Sequence, residues 1–244
     1  MADRTTWDDE DTKVFIEHGS SFVPERERQI ERICRLVPEI EGEFHILDLG
    51  CGEGLLAEAL LDHFPDAIVH GLDGSEAMIR RARRRLSDYE DRFETEPFEL
   101  SSDAWRSRGE PVHLVVSSLA VHHLDGDRKR TLFRDVHDLL EPGGAFFLAD
   151  LIEPASSEAR AAAADAWDDA VHRRSIVLTG GKAAFDRFQE TRWNHFRHPD
   201  PRDTPSAIFD QLVWLAEAGF SKPDVFWMDA GHALFGAFKR GTGG

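Results

Sequence analysis

The sequence is poor in cysteine, in tyrosine and in basic charge, and it has no long apolar run. Its 244 residues include two cysteines, Cys34 and Cys51, which excludes a disulfide framework and reads as two reduced thiols in the cytoplasm. No stretch approaches the ~18 apolar residues that a membrane-crossing helix needs. The opening MADRTTWDDEDTK is acidic and polar, unlike a secretory leader. Lys and Arg number 29 against 46 Asp and Glu, a net charge of −17 that repels phosphate backbones and sets nucleic acid aside as a partner. No internal repeat is visible, and there is no H-E-x-x-H or C-x-x-C motif. What is present is 41% hydrophobic content, enough for one sizeable core with an appendage.

The organising stretch is FHILDLGCGEGL at residues 44–55. An apolar run around Asp48 breaks into Gly50, Cys51, Gly52, Glu53 and Gly54, and LLAEALLDHF follows with Leu55, Leu56, Ala59 and Leu60 on one helical stripe. Strand, glycine turn and helix N-terminus together make a seat for a nucleotide-like ligand. A dinucleotide turn needs G-x-G-x-x-G, but here Leu55 holds the third position and the last glycine arrives one residue early.

A second predicted strand, AIVHGLD, ends on Asp73, 19 residues after Gly54 and near the roughly 20-residue spacing at which an acid reaches a ribose. Ser75 is the better N-cap for the helix that follows, which leaves Asp73 for the ligand. Gly74 and Met78 flank the same corner. A third strand carrying Pro97 belongs at a sheet edge, and Asp103 and Ala104 follow it. The strand VHLVVSS ends at Ser117 and Leu119, followed by His122 and His123. Then come a helix, the stop Pro142, Gly143 and Gly144, and a fifth strand over 145–149 ending on Asp150. Strand ends of this kind collect ligands in open α/β sheets.

Residues 46–54, ILDLGCGEG, resemble the first motif of class I S-adenosylmethionine-dependent methyltransferases, and "LLEPGG" before a strand is a second family mark. The resemblance implies an α/β fold, a doubly wound, seven-stranded, mostly parallel Rossmann-like sheet with a C-terminal antiparallel hairpin around Asp229, Ala230 and Gly231. It implies S-adenosyl-L-methionine as cofactor, held by Asp48, Gly50, Cys51, Gly52, Asp73, Gly74, Ser75, Met78, Asp103, Ala104, Ser117 and Leu119. An N-terminal helix over the cofactor would bring Arg26 to the methionyl carboxylate. His122, His123, Asp150 and His195 are the candidate bases for an acceptor that must lose a proton. The histidine pair lacks a further ligand at coordination spacing, so no metal is expected.

Residues 1–42 read as an N-terminal arm, loose over 1–13, and a helical cap with Pro24 in the first turn of its helix. Residues 43–244 read as the main domain, and 153–203 as a helical lid within it. Thr204 or Ser206 is the expected cap of the last helix. Trp7 would fold over the site or a neighbouring subunit, which keeps a homodimer open. The acidic balance favours a small-molecule methyl acceptor through oxygen, nitrogen or sulfur. Three alternatives stay open: non-methyl chemistry on the same cofactor (the carboxy-S-adenosylmethionine synthase type), a non-catalytic cofactor-binding protein, and a nicotinamide dehydrogenase.

Overall fold

The computed structural model describes residues 9–38, 40, 42–99, 102, 104–106 and 109–241. Asp103 and Trp7 lie outside them. Seven strands form one sheet: β1 (Phe44–Leu49), β2 (Ala67–Asp73), β3 (Phe93–Pro97), β4 (Val112–Ser118), β5 (Leu140–Leu151), β6 (Ser221–Asp229) and β7 (His232–Phe238). Their spatial order is β3-β2-β1-β4-β5-β7-β6. The first five pair in parallel, and β7 runs antiparallel between β5 and β6. The expected terminal hairpin is present, with Ala230 (φ 49°) and Gly231 (φ 74°) both left-handed, the geometry of a two-residue hairpin turn.

Alternation along each strand divides the core between the two faces of the sheet. Leu47, Leu49, Val115, Phe146 and Leu148 pack under α5 (Gly126–Leu139) and α8 (Ile208–Glu217). Ile46, Leu114, Val116 and Phe147 pack under α2 (Arg26–Leu36), α3 (Leu55–His63) and α4 (Glu76–Arg85). Because both faces are covered, the central strands read as continuous apolar runs.

Four details differ from the sequence reading. Asp9–Phe22 forms a helix, α1, where residues up to 13 looked loose. Pro24 lies before α2 rather than in its first turn, because Glu25 takes a left-handed conformation (φ 49°) as the N-cap. The cap of α8 is Ala207, since Thr204 and Ser206 are engaged elsewhere. The fifth strand also runs longer than expected. Its pairing with β4 skips from Leu140 to Ala145, so the Pro-Gly-Gly stop is a bulge inside the strand.

The insertion contributes α6 (Ser157–Thr179) and α7 (Ala183–Glu190). These helices share a core with α1, in which Val14 and Phe22 meet Trp167, Val171, Phe188 and Phe196. The Trp167 indole N–H donates to the Phe22 carbonyl at 2.7 Å, tying the insertion to α1. Trp167→Phe leaves that carbonyl unpaired and is expected to lower unfolding free energy by about 1–2 kcal/mol, measured by denaturant titration. Among the described residues, no helix is long and apolar enough to cross a membrane.

Candidate active site

The glycine turn joins β1 to α3 at the C-terminal edge of the sheet. Gly50, Gly52 and Gly54 take φ of 73°, 56° and 85°. A Cβ on Gly50 would lie 2.4 Å from Ala120 Cβ, so the turn is pressed against the loop leaving β4. Gly50→Ala adds that clash to left-handed strain, and is expected to cost about 2–4 kcal/mol, read from thermal or denaturant unfolding of the free chain.

Four of the turn's N–H groups are spent inside the protein. Gly50 and Cys51 donate to the Leu72 carbonyl, Gly54 donates to the Cys51 carbonyl, and Gly52 donates to Asp73 Oδ2 at 2.8 Å. A phosphate-binding turn has to present donors. This one presents space, and its donors instead draw β2 and Asp73 against it.

Asp73 accepts on its other oxygen from the Ser75 N–H, also at 2.8 Å. Ser75 caps α4 through the Met78 N–H, and Met78 is buried. Burial raises the Asp73 pKa, and the two backbone donors partly offset it. Beneath the turn, Asp48 is 1% exposed, and neither of its carboxylate oxygens has a hydrogen-bond partner. Burial and the nearby Asp73 charge push its pKa up to about 7, against the pull of Arg26. Arg26, at the start of α2, lies over the Phe15 ring, and its Nε is buried without a partner. Burial brings Arg26 down to about 10, with Glu53 acting the other way. Cys51 is buried and its thiol pKa is pushed well up by burial, so it offers shape and backbone rather than a thiolate.

Ser117 departs from expectation. It is fully buried, and its hydroxyl donates to the Leu49 carbonyl at 2.6 Å. It therefore braces β4 against β1 behind the turn rather than facing a ligand. Leu119 just beyond it is left-handed (φ 58°), a strained backbone at the mouth of the sheet. Gly74 lies where a Cβ would come 3.1 Å from the Phe98 carbonyl oxygen. Ala104 opens a short 3-10 turn, Ala104–Arg106.

The expected catalytic residues converge one strand further on. Asp150, at the end of β5, accepts from the His122 backbone N–H at 2.9 Å, and its Oδ1 lies 2.5 Å from His122 Nδ1. Burial opposes both charges, yet each partner stabilises the other: the His122 pKa moves up and the Asp150 pKa down. His123 Nδ1 and His195 Nδ1 both approach Asp203, at 3.0 Å from Oδ1 and 3.4 Å from Oδ2 respectively. His195 is 5% exposed, and its Nδ1 lies off the line that a hydrogen bond needs. Burial would raise Asp203, but contacts with His123 and His195 and the charge of His122 hold it well below the carboxylate range.

Asp203 and Lys129 are the site residues that the sequence reading missed. The loop holding Asp203 is bound to the His122 turn: the Thr204 N–H donates to the His122 carbonyl at 2.8 Å, and its hydroxyl donates there too. The buried Lys129 ammonium donates to the Thr204 carbonyl at 2.6 Å and to the Ser206 hydroxyl at 2.9 Å, and burial lowers its pKa to about 8. These bonds take the groups that looked like helix caps. The carboxylate of "PRDTP" carried no local signal, because two of its imidazole partners, His122 and His123, lie some eighty residues away in the chain.

An open α/β sheet with a glycine turn at its edge, a buried carboxylate behind the turn and an acid ending the next strand defines a domain of Rossmann-like type. The unpartnered Asp48 and Arg26 atoms and the uncrowded Gly52, whose Cβ would meet nothing within 4 Å, fit a compact zwitterionic cation there. Residues 46–144 match the family described as "Methyltransferase domain". The trans-aconitate 2-methyltransferase of Paracidovorax citrulli is 31% identical over 163 residues, 65% of this chain and 59% of that protein. The malonyl-[acyl-carrier protein] O-methyltransferase of Dechloromonas aromatica is 32% identical over 173 residues, 68% of this chain and 61% of that one. The chain thus spans about six-tenths of the length of these relatives. The apo S-adenosylmethionine-dependent methyltransferase SibL superposes with a TM-score of 0.59 at 18% identity, over 88% of this chain and 55% of that one, a likeness of fold. The matched stretch gives this chain a methyltransferase domain, and S-adenosylmethionine is the cofactor that such a domain implies.

Proposed function

We propose that the chain transfers a methyl group from S-adenosylmethionine to an oxygen of a small organic molecule held between the sheet edge and the helical insertion. The observation that carries this reading is the adjacency of two assemblies. The Asp48, Gly50 and Asp73 corner lies on β1 and β2, and the His122, His123, Asp150 and Asp203 cluster lies at the ends of β4 and β5, with Ala120 packed between them. When bound, the cofactor supplies a methyl carbon already activated on a sulfonium. The protein's remaining work is to bind, orient and exclude water.

In this reading Asp73 accepts from the ribose hydroxyls, and Arg26 pairs with the methionyl carboxylate. Asp48 balances the ligand's positive charge from below. Met78 lies on the adenine side. Asp150 fixes the His122 ring so that Nε2 keeps its lone pair, and the cluster prepares the acceptor oxygen. Both relatives are named for carboxylic-acid acceptors, and this supports oxygen over nitrogen or sulfur. The net charge of −17 supports a small acceptor over nucleic acid.

The test is calorimetry followed by transfer of labelled methyl to a panel of small carboxylic acids, phenols and alcohols. Saturable binding of S-adenosylmethionine and S-adenosylhomocysteine, undisturbed by NADH, together with label in an acceptor, is the expected result. Absence of binding at millimolar concentration rejects the reading. Binding without label on any acceptor, or a modified nucleoside as sole product, replaces methyl transfer with one of the other uses of this fold.

A further inference from the structure

The cluster beside the glycine turn has the composition of a metal centre. His122, His123 and Asp203 each offer one atom, and these atoms all lie within 4.8 Å of one another. His123 Nδ1 and Asp203 Oδ1 are 3.0 Å apart, and His122 Nε2 is 3.6 Å from the same oxygen. Four-coordinate bonds of about 2.0–2.2 Å place neighbouring donor atoms about 3.3 Å apart, so little movement closes them on an ion. His123 Nδ1 also lies 3.4 Å from the Arg202 carbonyl oxygen.

Two surrounding residues are arranged as supports. Asp150 Oδ1 lies 2.5 Å from His122 Nδ1 and orients the ring, leaving Nε2 facing Asp203 Oδ1 at 3.6 Å. A carboxylate behind a ligating imidazole is the usual outer partner of such sites. On the far side, His195 points Nδ1 toward Asp203 Oδ2 at 3.4 Å, buried and without a hydrogen bond. The backbone is equally committed. Thr204 ties the Asp203 loop to the His122 turn and Lys129 ties the same loop to α5, so the three donors are held in place by the fold itself. Close to this cluster, His232 is buried and donates to the Ala230 carbonyl, and burial brings its pKa to about 4; it stays neutral and adds no charge.

We propose that His122 Nε2, His123 Nδ1 and an Asp203 carboxylate oxygen bind one divalent first-row transition ion, with open coordination positions for an acceptor oxygen. Two imidazoles and one carboxylate suit Zn²⁺, Fe²⁺ or Co²⁺ and are a poor match for Mg²⁺ or Ca²⁺. The second half of the proposal, the acceptor's place on the ion, rests on the methyl-transfer reading; the first half does not. With the ion bound, His122 Nε2 gives its lone pair to the metal, and the acceptor oxygen is activated by the ion's charge rather than by the imidazole.

The experiment uses the full, tag-free chain stripped with a chelator and titrated with Zn²⁺ by calorimetry and with Co²⁺ by visible absorption. One saturable site with the intense absorption of low-symmetry Co²⁺ is expected. His123→Gln and Asp203→Asn should each weaken it tenfold or more, with S-adenosylmethionine binding in the same samples serving as the folding control. His45→Gln tests the other histidine group, where His45, His70 and His113 adjoin on neighbouring strands. A wild-type chain without a saturable site, undiminished binding in Asp203→Asn, or loss confined to His45→Gln overturns the assignment. None of those outcomes touches cofactor binding, so the two readings fail separately.

Discussion

Replacing Asp73 with alanine is expected to weaken S-adenosylmethionine binding about a hundredfold. A carboxylate has about four lone-pair positions, and in Asp73 two of them take the Gly52 and Ser75 N–H groups. The remaining two match a vicinal pair of ribose hydroxyls. Two hydrogen bonds to a charged acceptor are together worth about 3 kcal/mol, which is about two decades in dissociation constant. Alanine also releases the Gly52 N–H and loosens the turn. Calorimetry with S-adenosylhomocysteine, run beside thermal unfolding of the free chain, separates lost recognition from lost structure. An affinity within threefold of wild type would remove Asp73 from the ribose.

Asp48 should give the free chain a pH response that its asparagine variant lacks. Its folded pKa of about 7 stands above the ordinary 3.8. The folded state therefore holds a proton that the unfolded chain has given up, and stability falls as pH rises between those two values. From about pH 5.5 to 7.5 the loss is about 2 kcal/mol, and over the whole interval about 4 kcal/mol. Asp48→Asn should flatten that slope and make the free chain about 2–4 kcal/mol more stable at pH 8, measured by urea titration at several pH values. A bound sulfonium should reverse the trend. Affinity for S-adenosylmethionine should climb through neutral pH with proton release, more steeply than for the uncharged-sulfur product, and the asparagine variant should lack the slope. A carboxylate kept costly in the free chain is thus expected to be spent on recognising a cation. Equal pH slopes for the two ligands would sink this account.

Much of the cofactor side was legible in the chain because its residues are local to one another. Nine consecutive residues, 46–54, specify a strand, a turn and a helix start, and Asp73 follows after one helix and one strand. Hydrophobic runs, the Pro-Gly-Gly stop and the Asp-Ala-Gly corner marked the strands, and the family resemblance implied the kind of sheet they form. Ser117 was misjudged because position at a strand end does not say which way a side chain points. Alternation turns it into the sheet, where a carbonyl takes its hydroxyl. The acceptor side was less legible because it is built from distance. His122 meets Asp150 across two strands and meets Asp203 only after a helical excursion returns the chain. A proline-rich loop and a lysine inside an ordinary amphipathic helix carry nothing locally to reveal that they position a carboxylate.

The shared core of α1 and the insertion bears on how such enzymes are recombined. Trp167 reaches across to the Phe22 carbonyl, and Arg174 pairs with Glu27 near the start of α2. The segments that would choose the acceptor are therefore discontinuous in sequence yet packed as a unit. Grafting residues 153–203 from a relative with another substrate should yield a poorly folded hybrid, whereas moving residues 9–22 with them transplants the whole selector.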